Sequence, residues 1–432
     1  MISSPSYYYL ITHKPIYGES VSRPSFSIPA FSRRRSNKKA VFPKPLAIQT
    51  TSNELPDISH ARIKDLLYGL EGPLTWPDRM RTKADPSNAL FSTHPLPGGN
   101  KKASRAQFIG DRLLMEDCTG LQQLPSREGK YWQKLLPKAF RRLQEETQQH
   151  MLHGSTLLAA ILNSKGKLNL GWIGDSRAYW VSVDKKKGTR AIIPLTQDHN
   201  VRLPGESDKI KRLGGVFVRP KDKAQDYLLS APYSIRTPYF DEDLNQNMML
   251  ESQQRQSSIA ITRTIGMRIF PHLIREGCFK SIDITKLLKP HEEGYLVLVT
   301  DGCPPFGKGM NAKDTRWSAL FKQAVQHSQD NHAAWLVGLA QHYAPEGTDN
   351  SSAIVVPISP RTLPKNHSSL FMVADGQSVH AEKDQAPHPE RAGAQTAEFV
   401  IKRLPKLLAS GLKINPETNP STLKEQVRLS QT

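Results

Sequence analysis

The chain has 432 residues, room for one large domain with extensions or for two smaller ones. Its 38% hydrophobic content is low but enough for a globular core. Apolar runs such as Gly294-Tyr-Leu-Val-Leu-Val-Thr300 fall well short of the ~20 residues a membrane-spanning helix needs. A net charge of +19 favours acidic partners, though no basic motif interleaved with aromatics supports nucleic acid. Cys118, Cys278 and Cys303 have neither paired nor metal-type spacing, which argues against a disulfide framework and suits a reducing compartment such as the cytoplasm.

Met1 to Asn53 is rich in Ser, Pro and Tyr, has Glu19 as its one acidic residue, and contains Arg33-Arg34-Arg35-Ser-Asn-Lys38-Lys39. Such a composition buries too little surface to fold alone. It suits an organelle import peptide, an arm that touches an anionic membrane or an acidic partner, or plain disorder. A short helix is expected over Ile58–Leu70, and Pro95-Leu-Pro-Gly-Gly99 reads as a linker. Residues 1–100 are therefore taken as a basic, disordered arm and linker, and 101–432 as the folded domain.

Within that domain, short β-type runs alternate with amphipathic segments. The pattern predicts strands over Ala106–Ile109, Leu157–Leu162, Leu168–Ile173, Arg177–Val183, Leu296–Thr300, Ala353–Pro357 and Leu370–Ala374. Helices are expected over Lys130–His150, Ser207–Leu213, Arg316–Tyr343 and Gln395–Ala409, with Pro137 threatening the first and Pro405 expected to kink the last. Many strands and a few long helices, without a repeating β-α-β unit, indicate a largely antiparallel α+β fold whose sheets are covered by helices.

Five acidic sites share one local grammar. Met115-Glu116-Asp117, Asp175, Asp301, Asp349 and Asp375 each stand where an apolar run meets a turn, and Gly302 and Gly376 directly follow two of them. An apolar strand holds its terminal carboxylate rigidly while glycine lets the backbone bend away. Several such ends brought together make an acidic cleft whose repulsion demands cations, and hard Mg²⁺ or Mn²⁺ suit all-oxygen ligands. A single Asp-Gly after a strand is usually only a turn.

These residues resemble the type 2C family of metal-dependent serine/threonine protein phosphatases. The likeness begins at Gly110-Asp-Arg112-Leu-Leu-Met115-Glu116-Asp117 and continues through Gly154-Ser155-Thr156, Gly174-Asp175-Ser176-Arg177-Ala178 and Leu195-Thr-Gln-Asp198-His199. It runs on through Arg212-Leu-Gly214-Gly215, Ile261-Thr-Arg263-Thr-Ile-Gly266, Val299-Thr-Asp301-Gly302 and Gly347-Thr-Asp349-Asn350. Each motif alone is weak to moderate; the ordered set, over about Ser104 to Pro357, is specific. The family's strand ending in Asp-Gly-His-Gly, with its helix, is missing after Asp117, because Cys118–Lys130 leaves too little chain for both. A counterpart stands at Leu370-Phe-Met-Val-Ala-Asp375-Gly376-Gln377, so 368–432 reads as a transposed strand-helix segment; the rival reading is a second, truncated copy.

The resemblance implies two antiparallel sheets packed as a sandwich and flanked by helices, and hydrolysis of phosphoserine or phosphothreonine in proteins by a water shared between two Mn²⁺ or Mg²⁺ ions. It implies metal ligands at Asp375, Gly376 through its carbonyl, Asp301 and Asp349, with Glu116 holding waters and Asp117 either ligating or supporting. Arg112 would clamp the substrate phosphate. Asp175 reads as a support, and Asp198 and His199 as loop structure. Three departures stand out: Gln377 where a His is common, Pro305 where an Asp is common, and Met267 in place of the usual Asp. They leave a pseudophosphatase, which binds phosphorylated partners without turnover, as the alternative; a third reading makes the basic arm a tether for a membrane or nucleic acid. Gly214–Ser258 is expected to form a flap beside the site.

Overall fold

The computed structural model describes residues 89–95, 102–108, 115–148, 153–184, 188–203, 205–219, 226–232, 236–241, 246–251, 256–289, 292–303, 331–342, 349–378 and 389–411. Residues 1–88, Arg112, Pro305 and the 316–330 part of the third expected helix lie outside them. Two units are distinguished, and of the first only a hairpin within Pro232–Gln256 is described. It pairs β11 (Arg236–Asp241) with β12 (Gln246–Glu251).

The second unit holds the sandwich. Its first sheet has six strands: β1 (Ala89–Pro95), β2 (Lys102–Phe108), β7 (Arg177–Asp184), β8 (Gly188–Pro194), β16 (Glu292–Val299) and β17 (Ser351–Ile358). They lie in the order β1-β2-β17-β16-β7-β8. The second sheet has five: β3 (Cys118–Pro125), β5 (Leu157–Leu162), β6 (Lys167–Ile173), β15 (Cys278–Asp283) and β18 (His367–Ala374). Their order is β15-β6-β5-β18-β3. Every pairing within the two sheets is antiparallel.

The strand sequences explain why both faces are covered. Leu-Leu-Ala-Ala-Ile-Leu of β5 is buried at every position, as is all of β17. Alternate residues point to opposite faces. Leu158, Ala160, Trp180, Leu296, Ile354 and Phe371 fill the space between the sheets, while Leu157, Ala159 and Ile161 face helices on the outside. Those helices are α1 (Gly129–Glu146) and, at the C-terminal end of the fold, α4 (Pro389–Ala409). On the six-stranded sheet the covering helix is α3 (His332–His342), through Ala333, Trp335 and Val337. A short α2 (Glu206–Arg212) stands apart from these layers. Among the described residues no helix is long and apolar enough to cross a membrane.

Two small sheets complete the unit. One joins β9 (Phe217–Val218), β10 (Tyr227–Leu229) and β13 (Ser258–Ile259). The other sets β4 (His153–Ser155) between β14 (Ile265–Gly266) and β19 (Gly376–Ser378).

The α+β sandwich expected from the sequence is the fold observed. Three differences have physical causes. Residues 89–95, placed in the linker, pair with β2 as an edge strand. Cys118–Pro125, which was not among the expected strands, is one because it lies against β18 along its whole length. Helix α1 runs through Pro137 without the interruption that residue threatened, and α4 likewise continues past Pro405. A proline inside a helix costs about 3 kcal/mol, and burial of Leu135, Leu136, Leu404, Leu407 and Leu408 around the two prolines offsets it.

Candidate active site

The acidic residues gather at one end of the sandwich because antiparallel register places their strand ends there. Val299 pairs with Arg177 and Ala353, Ala374 with Cys118, and Ile173 with Leu157. Asp301 thus follows the end of β16, Asp375 follows β18, and Asp175 sits in the turn that carries the chain from β6 in one sheet to β7 in the other. Asp175, Asp301 and Asp375 each offer a carboxylate oxygen within 4.8 Å of the others.

That turn is held from several sides. Gly174 takes a φ of 98°, a conformation glycine adopts without penalty, and a Cβ there would meet Thr156 Cγ2 at 2.5 Å. Its N–H donates to His199 Nδ1 at 3.1 Å, and the His199 N–H returns to the Gly174 carbonyl at 3.0 Å. Arg177 forks onto both oxygens of Asp198 at 2.9 and 2.8 Å. Asp198 and His199 therefore brace the loop, as read from the sequence. Gly302 is needed for close approach, since a Cβ there would meet the Asn350 carbonyl oxygen at 1.9 Å.

Around the three carboxylates lie the other expected residues. Asp117 is fully buried and accepts from Thr300 Oγ1 at 2.6 Å, within a network that reaches Ser352, Gln107 and Thr119. Glu116 is buried; its N–H donates to Asn350 Oδ1 at 2.6 Å and its carbonyl accepts from the Gly376 N–H at 3.1 Å. Asp349 accepts from the Asn350 N–H at 2.8 Å. Gln377 Nε2 donates to Asp375 Oδ2.

The electrostatics are those of crowded anions. Burial, then the charge of Asp301, pushes Asp175 and Asp375 well above the ordinary carboxylate range. Burial, with Asp301 and Asp349 adding to it, raises Asp117 to about 7 against the pull of the Thr300 hydrogen bond. Asp175 Oδ1 is buried without a hydrogen-bond partner among the described residues, an unsatisfied acceptor of the kind a cation would take. This donor set, all hard oxygen, fits Mg²⁺ or Mn²⁺.

Residues 106–302 match the family model described as protein phosphatase 2C. The chain carries a protein phosphatase 2C domain. Among solved structures it is similar to a serine-threonine phosphatase 2C from Toxoplasma gondii: 19% identity, 62% of this chain and 99% of that one, TM-score 0.43. It is also similar to a phosphatase from a pathogenic strain of Toxoplasma gondii, with 15% identity, 67% and 100% coverage and a TM-score of 0.39. PppA of Pseudomonas aeruginosa gives 12%, 60%, 99% and 0.33 in the same order. No curated protein matches the chain significantly.

The phosphatase 2C match ends at Gly302, so Asp349 and Asp375 lie beyond it and reach the site only through the fold. Of the residues named from the sequence, Asp301 and Asp375 meet in the cluster, while Glu116, Asp117, Asp349 and Gly376 line its surroundings. Asp175, read as a support, contributes its carboxylate to the cluster itself. Its signal was present, a strand end with glycine before the Asp, but nothing in the sequence says which strand ends meet.

Proposed function

We propose that this phosphatase 2C domain hydrolyses phosphoserine and phosphothreonine in proteins with the help of two Mn²⁺ or Mg²⁺ ions. The observation that carries the reading is the convergence of Asp175, Asp301 and Asp375, from three strand ends in two sheets, within 4.8 Å. When bound, such ions neutralise charge on the phosphoryl oxygens and provide a nucleophile at neutral pH. The chain's own residues do the rest. Asp301 and Asp375 hold the cations, with Asp175 and Asp349 extending the donor set and the Gly376 carbonyl as a further ligand. The Glu116–Asn350 and Glu116–Gly376 hydrogen bonds fix the loop ends against one another, and the Thr300 hydroxyl fixes Asp117. Arg112 is assigned to the substrate phosphate. We also read β18 and α4 as the transposed strand-helix segment, since β18 lies between β3 and β5 and brings Asp375 to the cluster.

Gln377 favours a second reading. Its amide is engaged with Asp375 and has no proton to give a leaving alkoxide, which removes a general-acid contribution of roughly 10²–10⁴. A pseudophosphatase would bind phosphorylated partners through the same site.

Hydrolysis of a phosphothreonine peptide by the full chain, with Mn²⁺ or with EDTA, separates the two. Metal-dependent turnover lost in both Asp301→Ala and Asp375→Ala is the expected result. Metal binding without turnover would favour the pseudophosphatase, and turnover that survives Asp375→Ala would refute both the site and the transposition.

A further inference from the structure

The exposed face of α1 carries a run of like charges. Lys130, Lys134, Lys138 and Arg141 are all exposed, and their i, i+4, i+8, i+11 spacing sets them in one stripe. The stripe lies opposite the face that buries Trp132, Leu136, Ala139 and Leu143. Among the described residues none of the four cations makes an ion pair. The helix's own acids lie at its far end and are already engaged: Glu145 by Arg142 at 3.2 Å, and Glu146 by Arg142 at 3.0 Å and Arg403 at 2.7 Å.

The C-terminal end of α1, next to Arg141, is tied to the strands beside the carboxylate cluster. At the C-terminal end of α1, Gln144 Nε2 donates to the Thr264 carbonyl at 2.7 Å. The next residue, Ile265, pairs with Ser155, and Ser155 pairs with Gly376 beside Asp375. Two strand spacings of about 4.8 Å therefore separate the strand held by Gln144 from the one that follows Asp375.

We propose that this face of α1 docks an acidic segment of the phosphoprotein substrate while the phosphorylated residue reaches the carboxylates. The inference rests on the phosphatase reading and specifies its substrate class: phosphoproteins with acidic residues near the phosphosite. Spacing agrees with an extended peptide. Successive lysines rise about 6 Å along the helix, and alternate side chains of an extended chain stand about 6.6–6.8 Å apart. A membrane fits less well, because among the described residues α1 exposes no large apolar side chain to insert into the lipid boundary.

The test uses the full chain with Mn²⁺ and two phosphothreonine peptides, one flanked by alternating Glu and Ser, the other by Gly and Ser. The variant is Lys130→Gln/Lys134→Gln/Lys138→Gln/Arg141→Gln, whose Tm checks that it folds. Surface charge pairs of this kind predict a preference of about tenfold in kcat/KM for the acidic peptide in the parent chain. In the variant the preference disappears through KM, with the neutral peptide unaffected. An equal preference in parent and variant, or none in the parent, overturns the proposal. If neither peptide is hydrolysed, the phosphatase reading fails separately and fluorescence anisotropy of the labelled acidic phosphopeptide decides the docking face. Binding weakened about tenfold in the variant supports it, and unchanged binding overturns it. Binding to phosphatidylserine vesicles or a single-stranded oligonucleotide that the variant loses, with peptide binding intact, gives the face to another partner and also overturns it.

Discussion

Met267 takes a φ of 57° although it carries a side chain, and it does so while 1% exposed. Arg275 stabilises the turn by donating to the carbonyls of Gly266, Met267 and Phe270. Left-handed backbone costs a non-glycine residue about 1–2 kcal/mol, whereas deleting a buried Met side chain costs about 2–5 kcal/mol. Packing outweighs strain, so Met267→Gly should lower stability by about 1–3 kcal/mol in urea unfolding despite freeing the backbone. His199 gives a pH dependence. Burial, then the charge of Arg263, lowers it to about 3, below the ~6.5 of an unfolded chain. Between those values the unfolded chain binds the extra proton and the native one does not. The contribution of His199 is therefore full above about pH 6.5 and is lost as the pH falls towards 3. His199→Asn keeps an acceptor for the Gly174 N–H, so its Tm should fall less steeply than the parent's between pH 6.5 and 4. Parallel profiles would show that His199 titrates normally in the native state.

Among the elements, α4 shows most clearly what joins the C-terminal segment to the rest. Val400, Ile401, Leu404, Leu407 and Leu408 pack with Leu136 and Leu143 of α1, and Arg403 forks onto Glu146 at 2.7 Å through two nitrogens. Glu146→Gln removes the anion shared by Arg403 and Arg142. It should cost about 1–2 kcal/mol and quicken amide exchange in α4 well before β16 or β17. Uniform exchange across the domain would mean the pair does not latch the helix. The same elements show what the sequence made readable. β5, β6 and β7 are apolar runs bounded by Gly or polar turns, so their limits stood out to within a residue. β3 did not, because Gly120, Gln122 and Gln123 break its pattern; it is a strand through its pairing with β18, a tertiary cause. For the site, periodicity located Asp175, Asp301 and Asp375 at strand ends, but only the fold shows that these three ends meet.

At the scale of the whole molecule, the cluster opposes folding until cations occupy it. A ligand that binds only the native state raises stability by RT ln(1 + [L]/Kd), about 2.7 kcal/mol at a hundredfold excess over Kd. Millimolar Mn²⁺ should therefore raise the Tm, EDTA should reverse the rise, and Asp375→Ala should abolish it. In EDTA, Asp175→Asn should melt above the parent, because it removes one of the mutually repelling carboxylates; a lower Tm would mean that its charge is compensated from within the chain. The position of β18 has a further outcome during synthesis. β3 and β5 leave the ribosome first, yet the strand that pairs with both follows only after ~200 more residues, roughly 10–40 s of elongation. Until then each presents an open pairing edge to the surrounding solvent or to a chaperone. The nascent chain thus passes through a vulnerable interval set by the order of its segments, and a ribosome stalled between residues 163 and 366 would hold a half-built sheet with no acidic centre to load.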